Sequence, residues 1–360
     1  MFERCFLLGS VANMNRREIL KGLAITPFLI GSIEGNSNRN SFRRKKIKKP
    51  KRLSKGDTVG IIAPASGASE EEFERALNNF EEMGFKTKVG KYARGINGFL
   101  SGTDQQRLHD LHWAFSNSEI DAVWCIRGGY GVSRILPKVN YKLIKRNPKI
   151  LVGYSDITAL HLAIYRKTKL VTFHGPVGTS TYTDYAKTHV LSTLMTPTSP
   201  YKVELPKVPE GEDPELYKAL VVRAGKSRGR LIGGNLSLLT ALAGTPYGLK
   251  NTKGKILFIE DVGEKPYRVD RMLTQLRQSI NMRELAGIAL GVFTGGKLDA
   301  DEVSQSLEDV IKDRLGDLGI PVIYGLAFGH IRNQFTIPVG IKAELDTQES
   351  TLTFLENGVV

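Results

Sequence analysis

From residue 54 to residue 180 the chain alternates between two hydrophobic rhythms. Short, β-rich apolar runs ("TVGIIAPAS", "DAVWCIRGGYG", "KILVGYS", "LVTFHGP") read as buried strands. Between them, apolar residues recur every three or four positions. In "SEEEFERALNNFEEMGF" the residues Phe73, Leu77, Phe80 and Met83 keep this helical spacing, behind a Ser-x-x-Glu capping pattern at Ser69 and Glu72. "GTDQQRLHDLHWAFSN" and "DITALHLAIYRKT" predict further helices, and "KTKVGK" a further strand. Strands alternating with helices predict a largely parallel sheet covered on both faces.

Residues 181–228 lose this rhythm and are rich in Pro and charge, which predicts a connection with an edge element. A second unit, 229–360, opens with "GRLIGGNLSLLTALAGTPYG". It continues through the strand "GKILFIEDV", the helix "PYRVDRMLTQLRQSINM", the strand "GIALGVFTGG", a helix near 301–315 and the strand "IPVIYGLAFGH". "IPVGIKAELDTQESTLTFL" predicts a closing pair of strands around a polar turn.

A length of 360 residues suits about two domains with real cores. The formal charge of +14 suggests nucleic acid only until it is located. Residues 1–53 hold thirteen Lys/Arg against three Asp/Glu, so +10 lies there and about +4 in the rest. The charge belongs to a tail, and no nucleic-acid partner is expected. Within it, Arg16 and Arg17 precede a short apolar run, Gly22 to Ile33, too short to span a bilayer but suited to a signal-peptide core. Residues 1–35 resemble a twin-arginine export leader, which would take the protein to the periplasm; the alternative is a cytoplasmic protein. Met14 competes with Met1 as the start. "SFRRKKIKKPKR", in the segment 36–53, reads as a solvated basic linker, with the fold beginning near Leu53. Two cysteines, Cys5 and Cys125, exclude a disulfide framework and a cysteine-built zinc site.

Ligands of parallel sheets collect at the carboxyl ends of strands. Four such ends are polar or glycine-rich: "RGGYG", "GYSD", "ED" after "ILFI", and "GH" after "IYGLAF". Ser155 in "LVGYSDITAL" is either a helix N-cap or a nucleophile, and a nucleophilic serine needs a base. His174 and His330 both follow apolar strands and are the candidate bases. His109, His112 and His161 lie in helical patterns, and His189 lies in the irregular connection. Glu260, Asp261 and Glu264 offer a carboxylate to orient the base, Glu260 being nearest its strand end. The G-x-S-x-G elbow is absent, since Ile157 stands at its second glycine, and no tight metal-ligand spacing occurs. The residues alone leave a serine hydrolase and a ligand-binding α/β protein both open.

The order of "GDTVGIIAPAS", "DAVWCIRGGYGVSRILP", "VGYSDITALHLAI", "HGP", "GRLIGGNLSLLTALAGTPY", "LFIEDVGEKPYRVDRMLTQL" and "GHIRNQFTIPVGIKAELD" resembles the LD-carboxypeptidases and microcin-immunity peptidases. The resemblance implies an N-terminal flavodoxin-like, class I glutamine-amidotransferase-like parallel-sheet domain at 54–180. It also implies a smaller C-terminal swivelling β/β/α domain at 229–360. It further implies a serine peptidase with the triad Ser155, Glu260 and His330, and an oxyanion hole from backbone N–H groups of Asp156 and Gly128 or Gly129. Arg127 and Arg271 are unranked candidates to meet the substrate's terminal carboxylate, and Asn235 either borders the cleft or serves in structural backbone bonding. The expected substrate is a murein tetrapeptide that loses its terminal D-alanine, with no cofactor or metal and a possible homodimer. The alternatives are cleavage of a peptidyl-nucleotide antibiotic and non-catalytic muropeptide binding.

Overall fold

The computed structural model describes residues 46–360 apart from Glu210, Lys297, Asp299 and Ala300. The export-like leader and residues 36–45 of the linker lie outside the described residues.

The first sheet takes its parallel strands from the alternating segment: β1 (Thr58–Ile62), β2 (Lys86–Val89), β3 (Ala122–Cys125), β4 (Ile150–Gly153) and β5 (Thr172–His174). Their spatial order is β2-β1-β3-β4-β5, the flavodoxin-like arrangement, whose switch point lies between β1 and β3. Helices α1 (Glu70–Glu82), α2 (Asp104–Ser116), α3 (Val132–Ile135), α4 (Tyr141–Arg146) and α5 (Thr158–Thr168) fill the crossovers. The capping box at the start of α1 forms as its sequence predicts: Ser69 accepts from the Glu72 N–H, and the Glu72 carboxylate accepts from the Ser69 N–H. β3 and β4 are buried along their whole length, as strands covered on both faces must be.

The connection is richer than one edge element. It holds α6 (Asp184–Leu194), β6 (Tyr201–Val203) and β7 (Leu220–Arg223). The second sheet has β6 and β7 at its two edges. Its centre is parallel: β8 (Lys226–Asn235), β9 (Lys255–Val262), β10 (Gly287–Thr294) and β11 (Val322–Gly329). β13 (Lys342–Asp346) and β14 (Thr351–Phe354) form the predicted terminal hairpin. Helices α7 (Leu236–Ala241), α8 (Pro266–Ser279) and α9 (Leu307–Leu315) complete this half. The second sheet has eight strands and the first six.

Two segments depart from the sequence reading. Ile337–Val339, read as part of the terminal pair, is a separate strand β12 that pairs antiparallel with β5 and so joins the first sheet. Its three residues are wholly buried between the two halves, and local periodicity carries no information about which sheet receives them. The backbone at the described end of the basic linker is docked on the fold. Lys48 N–H donates to Lys169 O and Val171 N–H to Lys48 O, while Pro50 O and Arg52 N–H pair with Val360. The lysine heads stay at the surface while the backbone bonds to the fold. Among the described residues no helix is long and apolar enough to cross a membrane.

Candidate active site

β4 ends at Gly153, where an added Cβ would stand 2.9 Å from the Ile157 side chain, so only glycine lets the chain fold back this tightly. Tyr154 follows, and then Ser155 at φ 60°, the left-handed region that a non-glycine residue occupies at a cost of about 1–3 kcal/mol. Ser155 opens a 3-10 turn, Ser155–Ile157, that runs into α5, and neither start is capped by a side chain. The N-cap reading of Ser155 therefore fails. The backbone makes a strained strand–turn–helix bend without the G-x-S-x-G sequence, which leaves the hydroxyl partly exposed at the carboxyl edge of the sheet.

The turn after β3 presses against this serine. A Cβ on Gly128 would lie 2.8 Å from Ser155 Cβ and 3.1 Å from its Oγ. Gly129 sits at φ +107° with an imagined Cβ only 2.2 Å from Ser66 Oγ. None of the described hydrogen bonds takes the N–H of Gly128, Gly129 or Asp156, so these donors remain for a ligand.

Three side chains hold the turn in place. Ser66 N–H donates to Gly128 O (3.2 Å), its Oγ accepts from Tyr130 N–H (3.2 Å), and its hydroxyl donates to Phe99 O (2.7 Å). Buried Arg107 donates to Pro64 O (2.6 Å) and Gly131 O (2.9 Å) and pairs with Asp104 at 2.7 Å. Asp156 accepts from Val132 N–H at 2.8 Å. The sequence reading passed over Ser66 and Arg107. Arg107 looks like the polar face of an amphipathic helix, and only its burial reveals the role.

Burial raises the Asp156 carboxyl to about 6, against the opposing pull of the Val132 N–H and Arg107. The folded state therefore holds this proton more tightly than the unfolded chain, whose aspartate titrates near 3.8. This group's contribution to stability is full below pH 3.8 and is lost as pH rises toward 6. Asp156→Asn should remove that slope. Its melting temperature relative to wild type should climb between pH 4 and 6 and then level off; parallel melting curves for the two proteins would refute this.

The second sheet supplies the acid–base partners. Glu260 on β9 is completely buried, and its Oε2 accepts from His330 Nδ1 at 2.7 Å. His330 follows Gly329, the last residue of β11. At φ +113°, Gly329 keeps clear the space where its own Cβ would lie 3.0 Å from Glu260 Cβ. Burial alone would raise the Glu260 carboxyl. His330 outweighs it, with smaller help from His174 and Asn235, and holds it below the ordinary range. The Glu260 contact places a proton on His330 Nδ1 and a lone pair on Nε2.

The His330 ring packs at 4.7 Å on Tyr154, the residue before the serine. No hydrogen bond yet joins Ser155 Oγ to His330; such bonds often tighten only with substrate. The structure also separates the two candidate bases. The His330 side chain is 18% exposed, whereas His174 is 1% exposed and sits 3.9 Å from the other Glu260 oxygen.

The remaining site candidates divide. Asn235 ends β8 in register with Glu260. It caps α7, donates to Asp261 Oδ1 at 2.8 Å, and its N–H reaches Thr158 Oγ1 across the halves at 3.0 Å. These bonds give it a structural role, and its amide also helps to keep the Glu260 carboxylate charged. Asp261 is spent on Asn235 and Ser237, and Glu264 faces Arg268 at 3.5 Å. Arg127 adjoins the glycine turn and leans on Gly67 O (3.3 Å) and Glu72 (3.5 Å). Arg271 lies on α8 with its guanidinium over the Tyr267 ring, and no hydrogen bond ties it to Ser155, Glu260 or His330. Among the described residues no group of three or more His, Cys, Asp or Glu side chains is placed to hold a metal ion.

A strained serine on one sheet and a carboxylate-held imidazole on the other define a class, the serine-type hydrolases. Residues 59–175 match the LD-carboxypeptidase N-terminal domain and residues 228–345 the LD-carboxypeptidase C-terminal domain. The chain belongs to the LD-carboxypeptidase family and is a serine carboxypeptidase. It is 42% identical over 311 residues to a probable murein peptide carboxypeptidase of Bacillus subtilis, covering 86% of this chain and 95% of the relative. It is 36% identical over 295 residues to the murein tetrapeptide carboxypeptidase of Pseudomonas aeruginosa, covering 80% and 92%. Among solved structures, the immunity protein MccF in complex with glutamyl sulfamoyl guanosine superposes with a TM-score of 0.79 at 26% identity, covering 87% of this chain and 99% of that one.

Proposed function

We propose that the protein is an LD-carboxypeptidase that releases the terminal D-alanine of murein tetrapeptides through Ser155, His330 and Glu260. The observation that carries the reading is the 2.7 Å Glu260–His330 contact, presented beside a serine in left-handed backbone. His330 Nε2 takes the Ser155 proton as Oγ attacks the scissile carbonyl. Negative charge on the tetrahedral intermediate falls to the N–H of Asp156 and of Gly128 or Gly129, a contribution of about 3–4 kcal/mol per donor in such sites. Glu260 orients the imidazole and stabilises its charged form. His330 then protonates the leaving D-alanine, and water, deprotonated by the same imidazole, resolves the acyl-enzyme.

Arg127 is the cation beside the glycine turn, and so the better placed of the two arginines to meet the substrate's terminal carboxylate. The twin-arginine-like leader supports a periplasmic role in peptidoglycan turnover; finding the full-length chain in the cytosol on fractionation would remove it.

A second reading, cleavage of a peptidyl-nucleotide antibiotic, is favoured by the likeness to MccF. One comparison separates the two. Purified protein is given the murein tetrapeptide, the same peptide ending in L-alanine, and an aminoacyl sulfamoyl nucleotide. Release of D-alanine from the first alone is the expected result. Turnover of the nucleotide conjugate alone would replace the first reading with the second.

A further inference from the structure

The Glu260–His330 contact uses only one oxygen of a completely buried carboxylate. Oε1, the other, has no hydrogen-bond partner. Neither ring nitrogen of His174 has one either, and His174 Nε2 lies 3.9 Å from that same oxygen. Buried polar atoms without partners are costly, so an orphaned carboxylate oxygen beside an orphaned ring nitrogen needs a physical reason.

Resting on the triad reading, we infer that His174 is a positioning residue for Glu260: its Nε2–H donates to Oε1 and fixes the carboxylate so that Oε2 stays on His330. A closure of about one ångström turns the present separation into a hydrogen bond.

Placement makes this role specific. His174 is the last residue of β5 and pairs in register with Gly153, two residues before Ser155. Its ring meets Tyr154 at 6.1 Å, His161 at 6.4 Å, Phe258 at 5.3 Å and Phe328 at 6.5 Å. The titratable groups around it are Tyr154 from the serine turn, His161 from α5, Glu260 from β9 and His330 after β11. On the β12 side its partner is the apolar Ile337. Asp261, next along β9, faces Asn235 and Ser237. His161 Nε2 is already committed to Gly153 O at 2.8 Å. That bond leaves His161 Nδ1 as an unpartnered acceptor as well, but Glu260 Oε1, at 3.9 Å, is the carboxylate oxygen that His174 Nε2 faces. Burial holds His174 down to about 4, so near neutral pH it is an uncharged donor and not a second cation beside His330.

A donor on Oε1 draws charge from the carboxylate. Without it Glu260 is more basic and holds the His330 proton more tightly, so His330 reaches its free-base form only at higher pH. A fluorophosphonate reads this directly, because its reaction with Ser155 needs the unprotonated imidazole and no murein substrate. His174→Phe should react about threefold more slowly on the acid side of its pH–rate curve, whose midpoint should rise by about half a unit. His174→Gln, which keeps an N–H donor near the Nε2 position, should recover most of both. In the wild-type protein, histidine nitrogen NMR should show His174 protonated on Nε2; this holds even if the Phe variant fails to fold.

Wild-type rate and midpoint in His174→Phe would overturn the inference. So would equal loss in the Phe and Gln variants, or an Nδ1–H tautomer. Failure of D-alanine release with normal fluorophosphonate behaviour would instead sink the substrate assignment and leave His174's role standing.

Discussion

Replacing Ser155 with alanine is expected to lower D-alanine release by at least about 10⁴-fold while the protein stays folded. The hydroxyl bonds to no described group and caps neither the 3-10 turn nor α5, so the fold has little invested in it. What the residue does carry is a left-handed backbone at φ 60°, a conformation that alanine shares at the same cost. Ser155→Gly should therefore be equally inactive but more stable than Ser155→Ala by about 1 kcal/mol. Loss of turnover in step with loss of fold in both variants would contradict this. Retained turnover in either would remove Ser155 from the mechanism. Steady-state kinetics beside thermal melting distinguishes these outcomes.

The second large effect belongs to Glu260→Gln. The side chain keeps its size in a completely buried position, so the β9 strand end and the Gly329 cradle are undisturbed. The change removes the negative charge facing His330 Nδ1 at 2.7 Å and allows an amide N–H to be presented in its place. His330 then loses both its imidazolium stabilisation and the contact that fixes its tautomer. A fall in kcat of about 10³–10⁴ with KM nearly unchanged follows, since the carboxylate acts on the base and not on bound peptide. A fall confined to KM would mean that Glu260 holds substrate instead.

Much of the site was legible from residue type, but its geometry was not. Gly128 and Gly129 are legible as a glycine turn; that the first abuts Ser155 and the second Ser66 is set by the fold, not by local sequence. Ser155 looked locally like an N-cap because serine favours that position, and nothing in its side chain announces a positive φ. Glu260 and His330 are 70 residues apart on different strands, so their contact depends on the β9-β10-β11 order of the second sheet, which periodicity does not encode. The same limit hid β12, whose apolar residues suit either sheet. Arg107 and Ser66 were missed because each occupies an ordinary helix or loop position. The hydrogen bonds that matter are to carbonyls and amides brought close only by the switch point between β1 and β3. Helices fared better, since capping and spacing are local: α1 begins where Ser69 and Glu72 predict.

The most direct test of the proposed mechanism is to label the purified protein with a fluorophosphonate, map the adduct by peptide mass spectrometry, and follow D-alanine release from murein tetrapeptide in the same sample. The mechanism predicts one adduct, on Ser155, with activity lost in proportion to its occupancy. Hydrolysis that persists when Ser155 is fully modified, or an adduct on another residue that accounts for the loss, would contradict it.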